Sequence, residues 1–195
     1  MFSPQISYVK LPTTPIRMSL VLVSSMIFFL GIFIGYSSAH SLKSLVEDLE
    51  YLFSPLTGFP PIMLTVVVLV NNFIKTFLFM LLGILFAIPT VFFALINGVI
   101  LGALGFFVAE EKGVLFLLTG LLPHGVFEIP ALLISCALGI GIGMSVVRRI
   151  RRKDVSIGSV VISCIKAYFK IVMPLLVLAA FIEIYVTPLL LQQLL

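Results

Sequence analysis

Apolar and polar positions along this 195-residue chain fall into long apolar blocks parted by short charged stretches, the pattern of membrane-spanning helices. The first block runs from Ser19 to Tyr36. It follows a basic segment and ends in small residues, as a cleavable signal would, but it is long enough to span. In the next segment Leu42, Leu45, Val46, Leu49 and Phe53 recur at helical spacing opposite Lys43, Glu47, Asp48 and Glu50. That predicts an amphipathic helix on the membrane surface over residues 40–53. The second block, Ile62 to Ile88, would measure about 40 Å as one straight helix against a hydrocarbon core of about 30 Å. It must therefore tilt, break or begin outside. Ile88, Pro89 and Thr90 read as a stop and restart, which starts a third span over 90–109. Val114 to Leu122 is too short to cross, Pro123 reads as a break, and the fourth span covers 126–147. Further on, Ser159, Ser163, Lys166 and Lys170 share one helical stripe ahead of Pro174. This predicts a basic interfacial helix over 157–172, a kink, and a fifth span over 174–190.

The expectation is thus an all-α, polytopic membrane helix bundle forming a single domain over 1–195. Its spans are 19–36, 62–88, 90–109, 126–147 and 174–190, with interfacial helices at 40–53 and 157–172. A four-span arrangement in which 62–88 forms a re-entrant hairpin is the alternative.

Composition agrees, since 61% of residues are hydrophobic and 10% charged, where soluble domains carry about 25% charged. Little chain is left for a soluble enzyme module. The net charge of +4 does not call for nucleic acid, because the basic residues serve to orient the chain and to meet lipid headgroups. Lys10 and Arg17 precede the first span, and Arg148, Arg149, Arg151, Arg152 and Lys153 follow the fourth. By the positive-inside rule this predicts a multi-pass protein of the cell membrane with the N-terminus cytoplasmic and the C-terminus outside. Cys136 and Cys164 lie in apolar runs without the paired spacing of a zinc or redox motif, and read as packing residues.

Three glycine pairs, Gly31 with Gly35, Gly98 with Gly102, and Gly139 with Gly143, have the four-residue spacing that lets helix backbones approach closely in lipid. Packing within the chain is the favoured use. A homodimer seam is the other.

The polar residues inside the spans are few. They are Asn71, Asn72 and Lys75 in the second, Asn97 in the third, His124 and Glu128 at the head of the fourth, and Glu183 in the fifth. An ionised side chain at the bilayer centre costs about 2.5–3.5 kcal/mol on insertion scales. Gathering these groups is cheaper than scattering them, so His124, Glu128 and Glu183 are expected to meet, with the asparagines around them. His124 and Glu128 are four apart and share a helix face. A structural role accounts for them equally: His124, between Pro123 and Gly125, caps the fourth helix, and Glu128 in its first turn offsets the helix dipole. Asn97 reads as an interhelical hydrogen bond.

Several stretches also carry a family resemblance: the Asn71–Asn72 pair, NGVILG from Asn97, HGVFEIPALL from His124, GIGIG from Gly139 ahead of the arginine cluster, and LAAFIEIYVTP from Leu178. In order and spacing, over about Val66 to Pro188, the chain resembles the stage II sporulation protein M family. The resemblance implies an integral membrane protein. The family's namesake belongs to the engulfment machinery of spore-forming bacteria, beside a peptidoglycan transglycosylase and an amidase, and relatives occur in organisms with neither spores nor peptidoglycan.

Three function classes follow. The first is a non-enzymatic scaffold or accessory subunit of a membrane complex, binding membrane lipid and partner proteins through residues 40–53 and the basic surface from Arg148 to Lys170. The second is a channel or transporter for a small solute, ion or lipid, with the Asn/His/Glu cluster on its path. The third, an intramembrane metalloenzyme, needs three ligands and an open position, and the His-x-x-x-Glu spacing is not a hydrolase motif. The first is preferred, with no catalytic residue, metal or cofactor expected.

Overall fold

The computed structural model describes residues 15–53, 58–151 and 155–194, and Lys10, Arg152 and Lys153 lie outside them. All regular elements among the described residues are helical. Five of the helical stretches are long and apolar enough to cross a membrane: Met18–Ser37, Pro61–Ile84, Ile88–Lys112, Val114–Ile150 and Ile157–Leu191. The chain is therefore an all-α, multi-pass membrane bundle.

Helix α1 (Met18–Ser37) leads through a 3-10 turn (Ala39–Leu42) into the short α2 (Lys43–Phe53). In α2, Val46 is buried, Leu42 and Leu49 are half-buried, and Lys43, Glu47 and Asp48 are exposed. Leu45, expected on the apolar face, is exposed. The segment folds back on the bundle, with His40 edge-on to Phe106 at 5.0 Å between ring centroids.

Helix α3 (Pro61–Leu81) starts on a proline, whose missing amide costs nothing at a helix start. The turn out of α3 comes earlier than the expected stop at Ile88. A 3-10 turn (Leu82–Ile84) leads to Phe86 and Ala87, both in the left-handed region at φ 57° and 64°, and α4 (Ile88–Lys112) follows at once. Two tertiary contacts place the break there. Gly83 lies so close to Gly139 that no side chain fits between the backbones. Thr90 Oγ1 donates to the Phe79 carbonyl at 2.7 Å, satisfying one of the carbonyls freed at the end of α3.

Helix α5 (Val114–Ile150) corrects the expected fourth span, because it runs unbroken through Pro123 and Pro130. The real break is Gly113, a single linker residue at φ 89°, a conformation that glycine reaches without strain. Each proline removes one backbone hydrogen bond, a loss that packed membrane helices tolerate. At 37 residues the helix is about 55 Å long and overreaches the hydrocarbon core. It is also the hub of the bundle: 67% of its apolar window is buried, against 33% or less for the other spans.

The C-terminal part departs most from expectation. Instead of an interfacial helix, a kink and a span, one rod runs over Ile157–Leu191. It consists of α6 (Ile157–Ala167), a π-helical turn (Tyr168–Val172), α7 (Met173–Phe181), a second π-helical turn (Ile182–Val186) and α8 (Thr187–Leu191). Each π turn closes just before a proline: the Met173 amide reaches the Tyr168 carbonyl, and the Thr187 amide the Ile182 carbonyl. The wider turn makes room for the rings of Pro174 and Pro188, so neither ends the helix. Ser159, Ser163, Lys166 and Lys170 do share an exposed stripe, but the opposite face, Cys164, Ala167, Tyr168 and Val172, is buried in the core with Met80, Leu138 and Ile142.

The glycine pairs work within the chain. Gly31 and Gly35 of α1 face Gly98, Val99 and Gly102 of α4, while Gly139 and Gly143 receive the Gly83–Thr90 turn. These faces are not left free for a second copy.

Candidate functional site

Three segments meet at the polar residues in the middle of the bundle. Asn72 stands roughly 16 Å along α3 from Pro61, and Asn97 roughly 14 Å along α4 from Ile88, at 1.5 Å per residue. Each therefore lies near the middle of its own apolar helix. Asn72 Nδ2 donates to Glu128 Oε1 of α5 at 2.9 Å. Asn71 Nδ2 leans on Asn72 Oδ1 at 3.3 Å. Asn97, expected to bond across helices, instead donates to the Phe93 carbonyl of its own helix at 2.7 Å. It still reaches the site as a wall of a cavity of about 40 Å³ that it shares with Asn72, Lys75, Thr76 and Glu128.

The second half of the site joins α5 to the C-terminal rod. His124, Glu128 and Glu183 each offer one ligand-type atom, and these three atoms lie within 4.8 Å of one another. All three side chains are half-buried. Glu183 belongs to the second π turn, and the residue after that turn, Thr187, has its hydroxyl 3.5 Å from His124 Nδ1 and 3.2 Å from the Ile182 carbonyl. With the hydroxyl proton directed to that carbonyl, Thr187 accepts from Nδ1–H and leaves the lone pair of His124 on Nε2. Two carboxylates and an imidazole held this way can bind a cation, share a proton or hydrogen-bond a polar group.

Sequence reasoning missed the layer beneath. Thr76 Oγ1 donates to the Asn72 carbonyl and meets the Tyr168 hydroxyl, each at 2.7 Å, and Ser135 Oγ donates to the Thr76 carbonyl at 2.8 Å. Tyr168 and Ser135 are fully buried. Together they tie α3, α5 and the C-terminal rod together just below Asn72. No spacing rule marks such residues in advance.

The described arginines gather at one end. Leu20, one turn into α1, packs with Ala87, Ala137 and Ile140, so Arg17 lies toward the same end as Arg148, Arg149 and Arg151. Arg148 and Arg151 line a cavity of about 310 Å³ with Phe86, Ala87, Gly143, Met144 and Val147. Lys166 and Lys170 are on the exposed face of the rod and join neither site.

Compared with known proteins, residues 24–188 match the family described as stage II sporulation protein M. The chain belongs to the stage II sporulation protein M family. Within the match lie α3, α4, α5 and most of the C-terminal rod, hence every residue of the polar cluster. The chain is also similar to an uncharacterized protein of Methanocaldococcus jannaschii, 33% identical over 174 residues that cover 86% of this chain and 93% of that protein. No solved structure matches it. In this member of the stage II sporulation protein M family, the polar cluster inside the bundle and the arginine-rich end are two places where ionisable side chains gather.

Proposed function

We propose that this protein is a non-enzymatic integral membrane scaffold, an accessory subunit of a membrane-associated complex, lying in the cell membrane with its basic end cytoplasmic. The observation that supports this best is how narrow the space beside the polar cluster is. The cavity beside the polar cluster measures about 40 Å³, room for a few waters at about 10–15 Å³ each and for no organic solute. The polar groups around it largely bond one another or nearby backbone, which rigidifies a bundle. Two surfaces suit partners: the exposed polar face of α2, with Lys43, Glu47 and Asp48, and the arginine-lined cavity at the opposite end, which suits lipid headgroups or acidic side chains.

A cation transporter is the second reading, favoured by the gathering of His124, Glu128 and Glu183 at depth. Reconstitution separates the two. Purified protein in liposomes should leave proton and metal-ion flux at the level of empty vesicles, and Arg148→Glu with Arg151→Glu should abolish cross-linking to partners in native membranes without changing thermal stability. A flux that Glu128→Gln abolishes would put transport in place of the scaffold.

A further inference from the structure

We propose that His124, Glu128 and Glu183 form a binding site for one divalent first-row transition-metal ion that fastens α5 to the C-terminal rod. Three atoms no more than 4.8 Å apart leave a point within about 2.8 Å of all of them, so each side chain has to close by only about 0.7 Å to reach metal–nitrogen and metal–oxygen distances of about 2.0–2.2 Å. Movement of that size is available to half-buried side chains by small torsional adjustment.

Charge points the same way. Two carboxylates at this depth are costly alone, and a divalent ion balances both at once. Lys75 balances only one, from the cavity wall that it shares with Glu128, and Glu183 is not on that wall. One imidazole with two carboxylates is the donor set of zinc, manganese or iron(II). An all-oxygen cage would suit calcium or magnesium, and the soft thiolates that select copper(I) are elsewhere, Cys136 and Cys164 being buried in other clusters.

Two outer partners orient the ligands as metal sites require. Thr187 faces His124 Nδ1, and Asn72 donates to Glu128 Oε1, each holding one side of its ligand and leaving another atom to coordinate. Glu183 is brought to the site by a π turn, the kind of local widening that is frequent at functional positions. Nothing in this assignment depends on the scaffold reading: the ion can be a structural staple or a transported cargo.

The test uses the full chain, purified in detergent without chelator. Elemental analysis should find close to one zinc, manganese or iron per chain. Chelator should lower the melting temperature of the wild type, and added zinc or manganese should restore it. His124→Ala and Glu183→Gln should each cut occupancy at least tenfold and abolish the chelator effect, and Thr187→Val should weaken metal affinity by about 10–100-fold while the protein still folds. Should the ligand variants fail to fold, cobalt(II) titration of chelator-treated wild type decides, since bound cobalt must give the visible absorption of a low-symmetry nitrogen and oxygen site. Substoichiometric metal in the wild type, with no cobalt spectrum and no thermal response to zinc or manganese, would overturn the assignment and leave a proton shared between the two carboxylates in its place.

Discussion

Replacing Gly98 with alanine probes how α1 and α4 are held. A methyl group there would press on the Phe28 carbonyl oxygen and lie 3.0 Å from both Gly31 Cα and Ile32 N. All three are backbone atoms and cannot rotate aside, so the helices must part. A parting of about 1 Å forfeits up to roughly half of the ~0.1–0.2 kcal/mol in each atom pair across the seam. Phe28 is 2% exposed, and a buried side chain of its size makes some tens of such contacts, so the loss reaches about 1–3 kcal/mol, in line with the usual cost of overpacking. For a chain of this length, a mid-range loss of about 2 kcal/mol corresponds to a melting temperature lower by about 4–8 °C. Thermal unfolding of the detergent-solubilised protein, with mass measured by light scattering, reads both stability and assembly. Gly158→Ala is the control, because a Cβ there meets nothing within 4 Å, and it should melt no lower than the wild type. A Gly98→Ala protein that melts like wild type while its particle mass falls would refute this, for then the glycine face would be joining two copies.

Four further outcomes are expected. Tyr168→Phe removes the hydroxyl that meets Thr76 at 2.7 Å and should cost about 1 kcal/mol, or roughly 2–4 °C by calorimetry; no change would mean that the layer beneath Asn72 carries no stability. Compared in chelator-treated protein, Glu128→Gln preserves shape and hydrogen bonding with Asn72 and should melt like wild type, whereas Glu128→Leu strands that amide at a cost of about 1–3 kcal/mol, seen as a matching drop in melting temperature. Phe86 is exposed and left-handed, so Phe86→Asn, which tolerates that conformation, should stabilise by about 0.5–1 kcal/mol; a lower melting temperature would mean that its ring is needed. A cysteine at Ser156 should label from the cytoplasmic side and one at Asp48 from outside, with the native Cys136 and Cys164 silent because they are buried; the reverse pattern would invert the topology.

The sequence by itself determined that this is a multi-pass helical membrane protein of five apolar stretches, and which polar residues interrupt them. Both are matters of composition and local period. An ionisable group in an apolar run is conspicuous whatever the fold, and glycines four apart mark a close helix approach without naming the partner. Tertiary structure alone decided where the helices end and which groups meet. Pro123 and Pro174 read locally as a break and a kink, yet each, like Pro130 and Pro188, lies inside a continuous rod, because a proline costs a few kcal/mol and the packing around α5, together with two π turns, outweighs it. The converse holds at Leu85 to Ala87: nothing in those apolar residues signals a reversal, and the approach of Gly83 to Gly139 and the bond from Thr90 to Phe79 impose it. Glu183 is 55 positions from Glu128, and no pattern along the chain fixes which face of the last rod it occupies. A π turn shifts that face by one residue, and so the shape of the rod brings the second carboxylate beside the first.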